Sequence, residues 1–272
     1  MAVRKAGRVA ASVAAVALFG AMVTACDDSD DSGSSPFDKV RESPSPSASA
    51  STSSPPPPSS AGASGETTGS PEDVPEAKVP PASVNDLEKV ATKVEGGVIT
   101  VGKPSAGVTV TVYEDPRCPF CKKFEEGGAQ ALVPGLAAGK VKVEYTIASF
   151  LDNNLGGNGS KNAANALRAA VETGRFPQFH SALFTNQPEE SEDGFTPAFL
   201  LKIGEAAGIE DAAFKDAVNR NTYKDWVGTA MRAFEKDGVT GTPTVEVDGE
   251  KAPSDSLYSK DAFAKVLRKA GV

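Results

Sequence analysis

The run Val108-Thr109-Val110-Thr111-Val112-Tyr113 alternates strictly between valine and a polar or aromatic residue, and soon after it Cys118-Pro119-Phe120-Cys121 opens a helical pattern. A β-branched run of this kind suits a strand with its valines on one buried face. Phe124, Ala131 and Leu132 suit the buried side of the following helix, which Gly127-Gly128 weakens and Pro134 is expected to end. Val141, Val143, Tyr145 and Ile147 then alternate again. Strand, helix, strand makes a right-handed βαβ unit with parallel strands, so an α/β fold is expected.

The two cysteines stand where that first strand hands over to the helix. One helical turn brings their sulfurs within bonding reach and puts the first at a helix N-terminus, where unpaired N–H groups favour a thiolate. Cys118 is therefore the expected nucleophile and Cys121, one turn further in, the resolving thiol. Arg117, Lys122 and Lys123 add positive charge, which screening weakens if it is exposed. Three other readings fit the same spacing: a structural disulfide, half of a zinc site, and a redox fold that only binds partners. Zinc wants four ligands, and His180 is the chain's single histidine, so no metal is expected.

The N-terminal third is of another character. Arg4, Lys5 and Arg8 precede an apolar stretch over 9–23, too short for a confident membrane span, which reads as a secretory signal. Val23-Thr24-Ala25-Cys26 resembles a bacterial lipobox, and the resemblance implies cleavage before a lipid-modified Cys26. Loss of residues 1–25 removes those three cations and no acid, taking the net charge from −8 to −11. That acidity argues against a nucleic-acid partner. From Asp27 to about Pro81 the chain is Ser, Pro, Gly, Ala and acid, including Pro55-Pro56-Pro57-Pro58, and reads as a tether. The expected organisation is a signal over 1–25, a tether over 26–81 and one domain over 82–272.

Within that domain Val84, Leu87, Val90, Ala91 and Val94 fall at helical spacing, with Gly96-Gly97 as the stop and a short strand at 98–101. Between about 160 and 237 the period becomes helical, with candidates at 161–173, 178–184, 197–207, 211–219 and 223–236. Phe176, Phe179, Phe184, Phe199, Phe214, Trp226 and Phe234 are expected as its core. Val245 and Val247 mark a last strand, Asp248-Gly249 a hairpin turn and 262–269 a closing helix. Residues 155–161 are glycine-rich but lack the Gly-Lys-Ser/Thr order of a phosphate loop, and the acids at 189–193 read as a solvated loop.

From about Val98 onward the chain resembles the exported, DsbA-like branch of the thioredoxin superfamily. The likeness rests on residues 115–121 around the dithiol, on 163–184 ending in Phe179-His180-Ser181-Ala182-Leu183-Phe184, and on Gly241-Thr242-Pro243-Thr244. It implies a thioredoxin-like fold with a helical insertion between the second strand of the βαβ unit and the cis-proline strand. It further implies that Pro243 is cis and faces the dithiol with Thr242, so Pro119, Phe120, Thr242 and Pro243 become candidate client-binding residues beside Cys118 and Cys121.

Two departures qualify the carry-over. Val112 stands six positions before the first cysteine, where many relatives have an acid that relays protons to the buried sulfur, and neither Glu114 nor Asp115 is given that role, because strand alternation points them in different directions. Phe120 stands where strongly oxidising relatives often have histidine, and it offers no donor to a Cys118 thiolate, which implies a milder oxidant. His180 is expected to be a packing residue. The implied function is thiol–disulfide exchange on exported client proteins, most simply disulfide formation, from a membrane-held lipid anchor. It needs no dissociable cofactor; as an oxidase it would call on a membrane redox partner, and as a reductase or isomerase on a reducing partner instead. Reduction or isomerisation is the alternative direction, and a tethered peptide-binding module is the alternative class.

Overall fold

The computed structural model describes residues 74–272. Expectations for residues 1–73, Cys26 and the signal among them, lie outside the described residues. Six strands form one sheet: β1 Thr92–Glu95, β2 Val98–Gly102, β3 Val108–Glu114, β4 Val141–Ile147, β5 Thr244–Val247 and β6 Glu250–Lys251, in the order β1-β2-β4-β3-β5-β6. β3 and β4 pair in parallel with Val110 opposite Val143, and the other neighbours pair antiparallel. Val108, Val110 and Val112 are buried, as the alternation predicts.

The crossover from β3 to β4 is built differently from the expected single helix. Helix α1, Pro119–Glu126, stops at Gly127; a 3-10 turn, Gly128–Ala131, follows, and then α2, Val133–Ala137. Pro134 begins that last helix instead of ending the first, because an N-terminal turn needs no N–H from it. The break at the glycines has a cause elsewhere. A Cβ on Gly128 would lie 2.2 Å from the Leu257 carbonyl oxygen and one on Gly127 2.6 Å from that of Tyr258, so the C-terminal segment approaches as only glycine permits. Phe124 of α1 meets Phe263 edge-on at 5.6 Å, both fully buried, which ties the dithiol's helix to the C-terminal helix. Each such phenylalanine contributes about 2–3 kcal/mol through burial.

Between β4 and β5 run α3 Leu151–Leu155, α4 Gly159–Glu172, α5 Phe176–Thr185, α6 Pro197–Ala206, α7 Ala212–Arg220 and α8 Lys224–Lys236, and α9, Lys260–Lys269, closes the chain. These helices are the expected insertion, with the short α3 as an unforeseen addition. Phe176, Phe179, Phe184, Phe199, Phe214 and Phe234 are buried and Trp226 is partly buried against the core.

Residues 84–94 do not form the expected helix. The segment is a 3-10 turn, Ala82–Leu87, followed by β1, and Gly96-Gly97 is a two-residue hairpin turn joining β1 to β2 with Glu95 opposite Val98. Gly96 at φ +54° supplies the conformation such a turn demands. The 3-10 turn buries Val84 and Leu87. Upstream, residues expected in the tether lie on the domain: the Lys78 N–H donates to Asn186 Oδ1, and Asn186 Nδ2 donates to the Lys78 carbonyl, both at 2.7 Å.

Candidate active site

β3 ends at Glu114, and a tight loop carries the chain into α1 with Cys118 at its N-cap in extended conformation and Pro119 at the first helical position. The loop is held at each residue. The Cys118 N–H donates to the Asp115 carbonyl at 2.9 Å and the Arg117 N–H to Asp115 Oδ1 at 3.0 Å. Gln187 Nε2 donates to the carbonyls of Pro116 and Cys118, at 2.8 and 2.9 Å. Both cysteines are free thiols. Cys118 retains 6% of its surface and Cys121 none, so an incoming group meets Cys118 first.

The two sulfurs are electrostatically unequal. Cys118 is lowered to about 6, first by the Cys121 thiol hydrogen-bonding to it, then by the Thr242 side chain and by the N–H groups of Cys121 and Phe120 at the helix end, against the pull of burial. Burial pushes Cys121 well above the ordinary thiol range.

Across from Cys118 the Thr242–Pro243 peptide bond is cis, and the Cys118 thiol donates to the Thr242 carbonyl at 3.3 Å. Around them lies an exposed aromatic pair. Phe120 is 51% exposed and stands 6.3 Å from the ring of Tyr258, itself 42% exposed, while Lys123 Nζ sits 4.9 Å over the Phe120 ring. Sequence reasoning missed Tyr258; the Gly127-Gly128 contact brings its segment to the dithiol. On the other side of Pro119 a cleft of about 400 Å³ is lined by Lys122, Lys123, Glu126, Gln187 and Pro188.

Arg117 is not the exposed charge the sequence suggested. It is buried, with Nη1 on Asp152 Oδ1 at 3.1 Å and the Gly156 carbonyl at 2.7 Å, and with Nε and Nη2 on the Glu190 carbonyl. Asp152 also accepts from the N–H groups of Ser160 and Lys161, both at 2.9 Å. An internal carboxylate thus occupies the start of α4, where a phosphate would have to sit. The acidic loop takes part too: Asp193 accepts the Asn158 N–H, and Glu190 lends its backbone to Arg117.

Beneath the dithiol, His180 is surrounded by the rings of Tyr145, Phe176 and Phe184, as expected of a packing residue. It also has two acidic neighbours that no sequence pattern indicated: Nε2 donates to Glu114 Oε1 at 2.6 Å, and Nδ1 is 3.7 Å from Glu125 Oε2. Burial opposes a charge on His180, but Glu114 and then Glu125 outweigh it and raise the ring to about 9. Burial raises Glu125 to about 8. Oxygen and nitrogen atoms of these three side chains lie within 4.8 Å of one another, the one such group of metal-ligating type among the described residues. The direct bond from Nε2 to Oε1 leaves no room for an ion between them.

A family model described as thioredoxin matches residues 94–268. The chain belongs to the thioredoxin family. Among the relatives of this thioredoxin-family chain, disulfide bond formation protein D of Bacillus subtilis is 26% identical over 189 residues, 68% of this chain and 83% of that protein. The oxidised DsbA of Mycobacterium tuberculosis superposes with a TM-score of 0.53 at 26% identity, covering 68% of this chain and 94% of that one. Oxidised BdbD of Bacillus subtilis gives 0.54 at 22% identity, over 72% and 97%, and so shows the shared fold. The thioredoxin-like architecture with its helices between β4 and β5 is that of these DsbA-type proteins.

Proposed function

We infer that this chain is a protein disulfide oxidoreductase that forms disulfides in exported proteins, with Cys118 exchanging with the client and Cys121 resolving. The observation that carries the reading is the inequality of the two thiols: one at a helix N-cap and lowered to about 6, the other sealed behind it. A client cysteine reaches Cys118 between the Thr242 carbonyl and the Phe120–Tyr258 pair, and an extended client segment can bond to backbone there. Pro119, Phe120, Thr242 and Pro243 are thus its binding surface. Relatives named for disulfide bond formation support the oxidising direction.

Residues 1–25 act as a signal, Cys26 as a lipid anchor on the outer side of the membrane, and the chain from 26 to the start of the domain as its tether. Reoxidation draws on a membrane partner that accepts the two electrons. A Cys121→Ser variant of the full chain is expected to accumulate mixed disulfides with clients through Cys118, and none forming counts against turnover. The equilibrium reduction potential in glutathione buffers decides direction: a value nearer about −120 mV, as for DsbA, marks a donor, and one nearer about −270 mV, as for thioredoxin, a reductant. Cys26→Ala is expected to release the protein from membranes; retention overturns the anchor.

A further inference from the structure

Between α4 and α8 lies a cleft of about 640 Å³ that the dithiol chemistry does not use. Lys161 of α4 and Lys224 of α8 line it from its two sides, and neither forms an ion pair among the described residues. Ser149, only 4% exposed, lines it with a hydroxyl that no group among the described residues engages, and the amides of Asn153, Asn158 and Asn221 are equally free. The chain has 36 acids against 28 cations, yet no carboxylate and no aromatic ring belongs to the lining among the described residues. Asp152 and Asp193, on either side of the entry to α4, are engaged by Arg117 and by the N–H groups of Asn158, Ser160 and Lys161.

The walls of the cleft are fixed from within. Asn165 of α4 is buried; its Nδ2 donates to the Ala217 carbonyl at 3.0 Å and its Oδ1 accepts the Tyr223 N–H at 2.8 Å, which holds the junction of α7 and α8 against α4. Asn221 caps α7 at φ +49°, a conformation that asparagine tolerates. The cleft lies at the end of the sheet that carries the dithiol. Glu114 pairs with Ile147 and Tyr113 with Thr244, so the ends of β3 and β4 meet the start of β5 there. Cys118 comes four residues after Glu114, Ser149 two after Ile147, and Thr242 two before Thr244. With about 3.6 Å of reach per residue and about 4.8 Å between strands, Ser149 is at most about 26 Å from Cys118, which about eight residues of extended client span. Met231 of the cleft packs on the cluster of Tyr113, Ala148 and Phe234, and so does Val239, three residues before Thr242.

We propose that the cleft between α4 and α8 is a second client subsite, which takes an acidic segment lying within about eight residues of the client cysteine that reacts with Cys118. The subsite rests on the client reading given above and adds a selection among clients to it. Lys161 and Lys224 supply two point charges for carboxylates, and each free amide offers two donors and an acceptor to the client backbone between them. Val227 and Met231 give the segment an apolar wall. A nucleotide fits the lining less well. Its base would find no aromatic ring to stack on, and the α4 N–H groups that would hold its phosphate are taken by Asp152.

The test uses two dithiol peptides, alike except that one carries glutamates and the other lysines at about three to eight positions from the cysteines. Both are oxidised by the full chain in its disulfide form. At low ionic strength kcat/KM for the glutamate peptide is expected to exceed that for the lysine peptide by about threefold to tenfold, through KM, and salt should shrink the difference. The double variant Lys161→Glu/Lys224→Glu should invert the ratio; both peptides are read in one preparation, so a general loss of activity cancels. Should that variant fail to fold, Lys161→Gln/Lys224→Gln, which puts no new acid beside Asp152 and Asp193, should remove the advantage of the glutamate peptide. A wild-type chain that oxidises the lysine peptide as fast, or an advantage that survives these substitutions, overturns the subsite. Oxidation of neither peptide defeats the enzymatic reading instead, and anisotropy of fluorescein-labelled peptides with serine in place of cysteine then tests the cleft alone. Tighter binding of the glutamate peptide to the wild-type chain than to the double variant supports the subsite, and equal binding overturns it.

Discussion

The sulfur of Cys118 and the carbonyl oxygen of Thr242 lie 3.3 Å apart, joining the start of α1 to the residue before the cis proline across 124 positions of sequence. The carbonyl accepts from the thiol, while the helix-end N–H groups favour the thiolate. The second set prevails, together with the Cys121 thiol and the Thr242 side chain.

Iodoacetamide should therefore modify Cys118 with a rate that titrates near pH 6 and leave Cys121 untouched in the folded protein. At pH 7 a thiol lowered that far is about 90% ionised. Because the Cys121 thiol is the largest cause, Cys121→Ala is expected to move the midpoint up, toward the ordinary thiol range of about 8.5. Mass spectrometry of the alkylated peptides over pH 4–9 reads both effects. An unmoved midpoint in Cys121→Ala would assign the shift to the helix terminus alone.

Phe120→His places a donor beside the N-terminal turn in which the Cys118 thiolate sits. A hydrogen bond to a charged group is worth about 1.5–3 kcal/mol, or about 30–60 mV for a two-electron couple. The variant should be the stronger oxidant by that amount and should lose the ring contact with Tyr258. Equal potentials for the two proteins would mean that position 120 does not reach the sulfur.

Arg117 supports the loop without charging the thiol. Its guanidinium is fully committed to Asp152, Gly156 and Glu190, so Asp152→Ala leaves a buried cation unpaired, at a cost of about 3–5 kcal/mol. Urea unfolding should show that loss while the Cys118 alkylation midpoint stays near 6. A large shift of the midpoint with little loss of stability would reverse the assignment.

What could be read from the sequence follows from how local the cause is. The alternation at 108–113 and 141–147, the dithiol at the strand end and the helical periods after 159 are set by neighbours in sequence, and each stands where the pattern put it. Gly96-Gly97, expected as a helix stop, is a hairpin turn instead, because pairing with β2 and then β4 decides it. Pro134 and Gly127-Gly128 take their meaning from Leu257 and Tyr258, far along the chain. Glu114, Glu125 and His180 come from three elements with no common spacing, so no local pattern brings them together. Arg117 looked like solvent-exposed charge since its partner Asp152 lies in a helix too short to predict.

The buried cluster also sets the pH dependence of stability, and the redox state selects which groups are seen. Asp115, Glu125 and His180 all have folded values raised above their ordinary ones, to about 6, 8 and 9, chiefly by burial for the acids and by Glu114 against burial for the histidine. A raised group binds its proton more tightly in the folded state, so its contribution is complete below the unfolded value and is lost as pH rises through the folded one. All three therefore act in the same direction, and the oxidised protein, whose thiols cannot titrate, should lose stability from about pH 5 to pH 9. Each proton of difference contributes a slope of about 1.4 kcal/mol per pH unit. In the reduced protein Cys118 acts oppositely: its folded value is lowered, so it adds stability as pH climbs from about 6 toward 9. Urea midpoints at pH 6 and pH 9 should consequently fall further for the oxidised form than for the reduced form, and His180→Gln should flatten the oxidised curve above pH 6.5. Midpoints that rise with pH in the oxidised protein would remove the cluster as the controlling element.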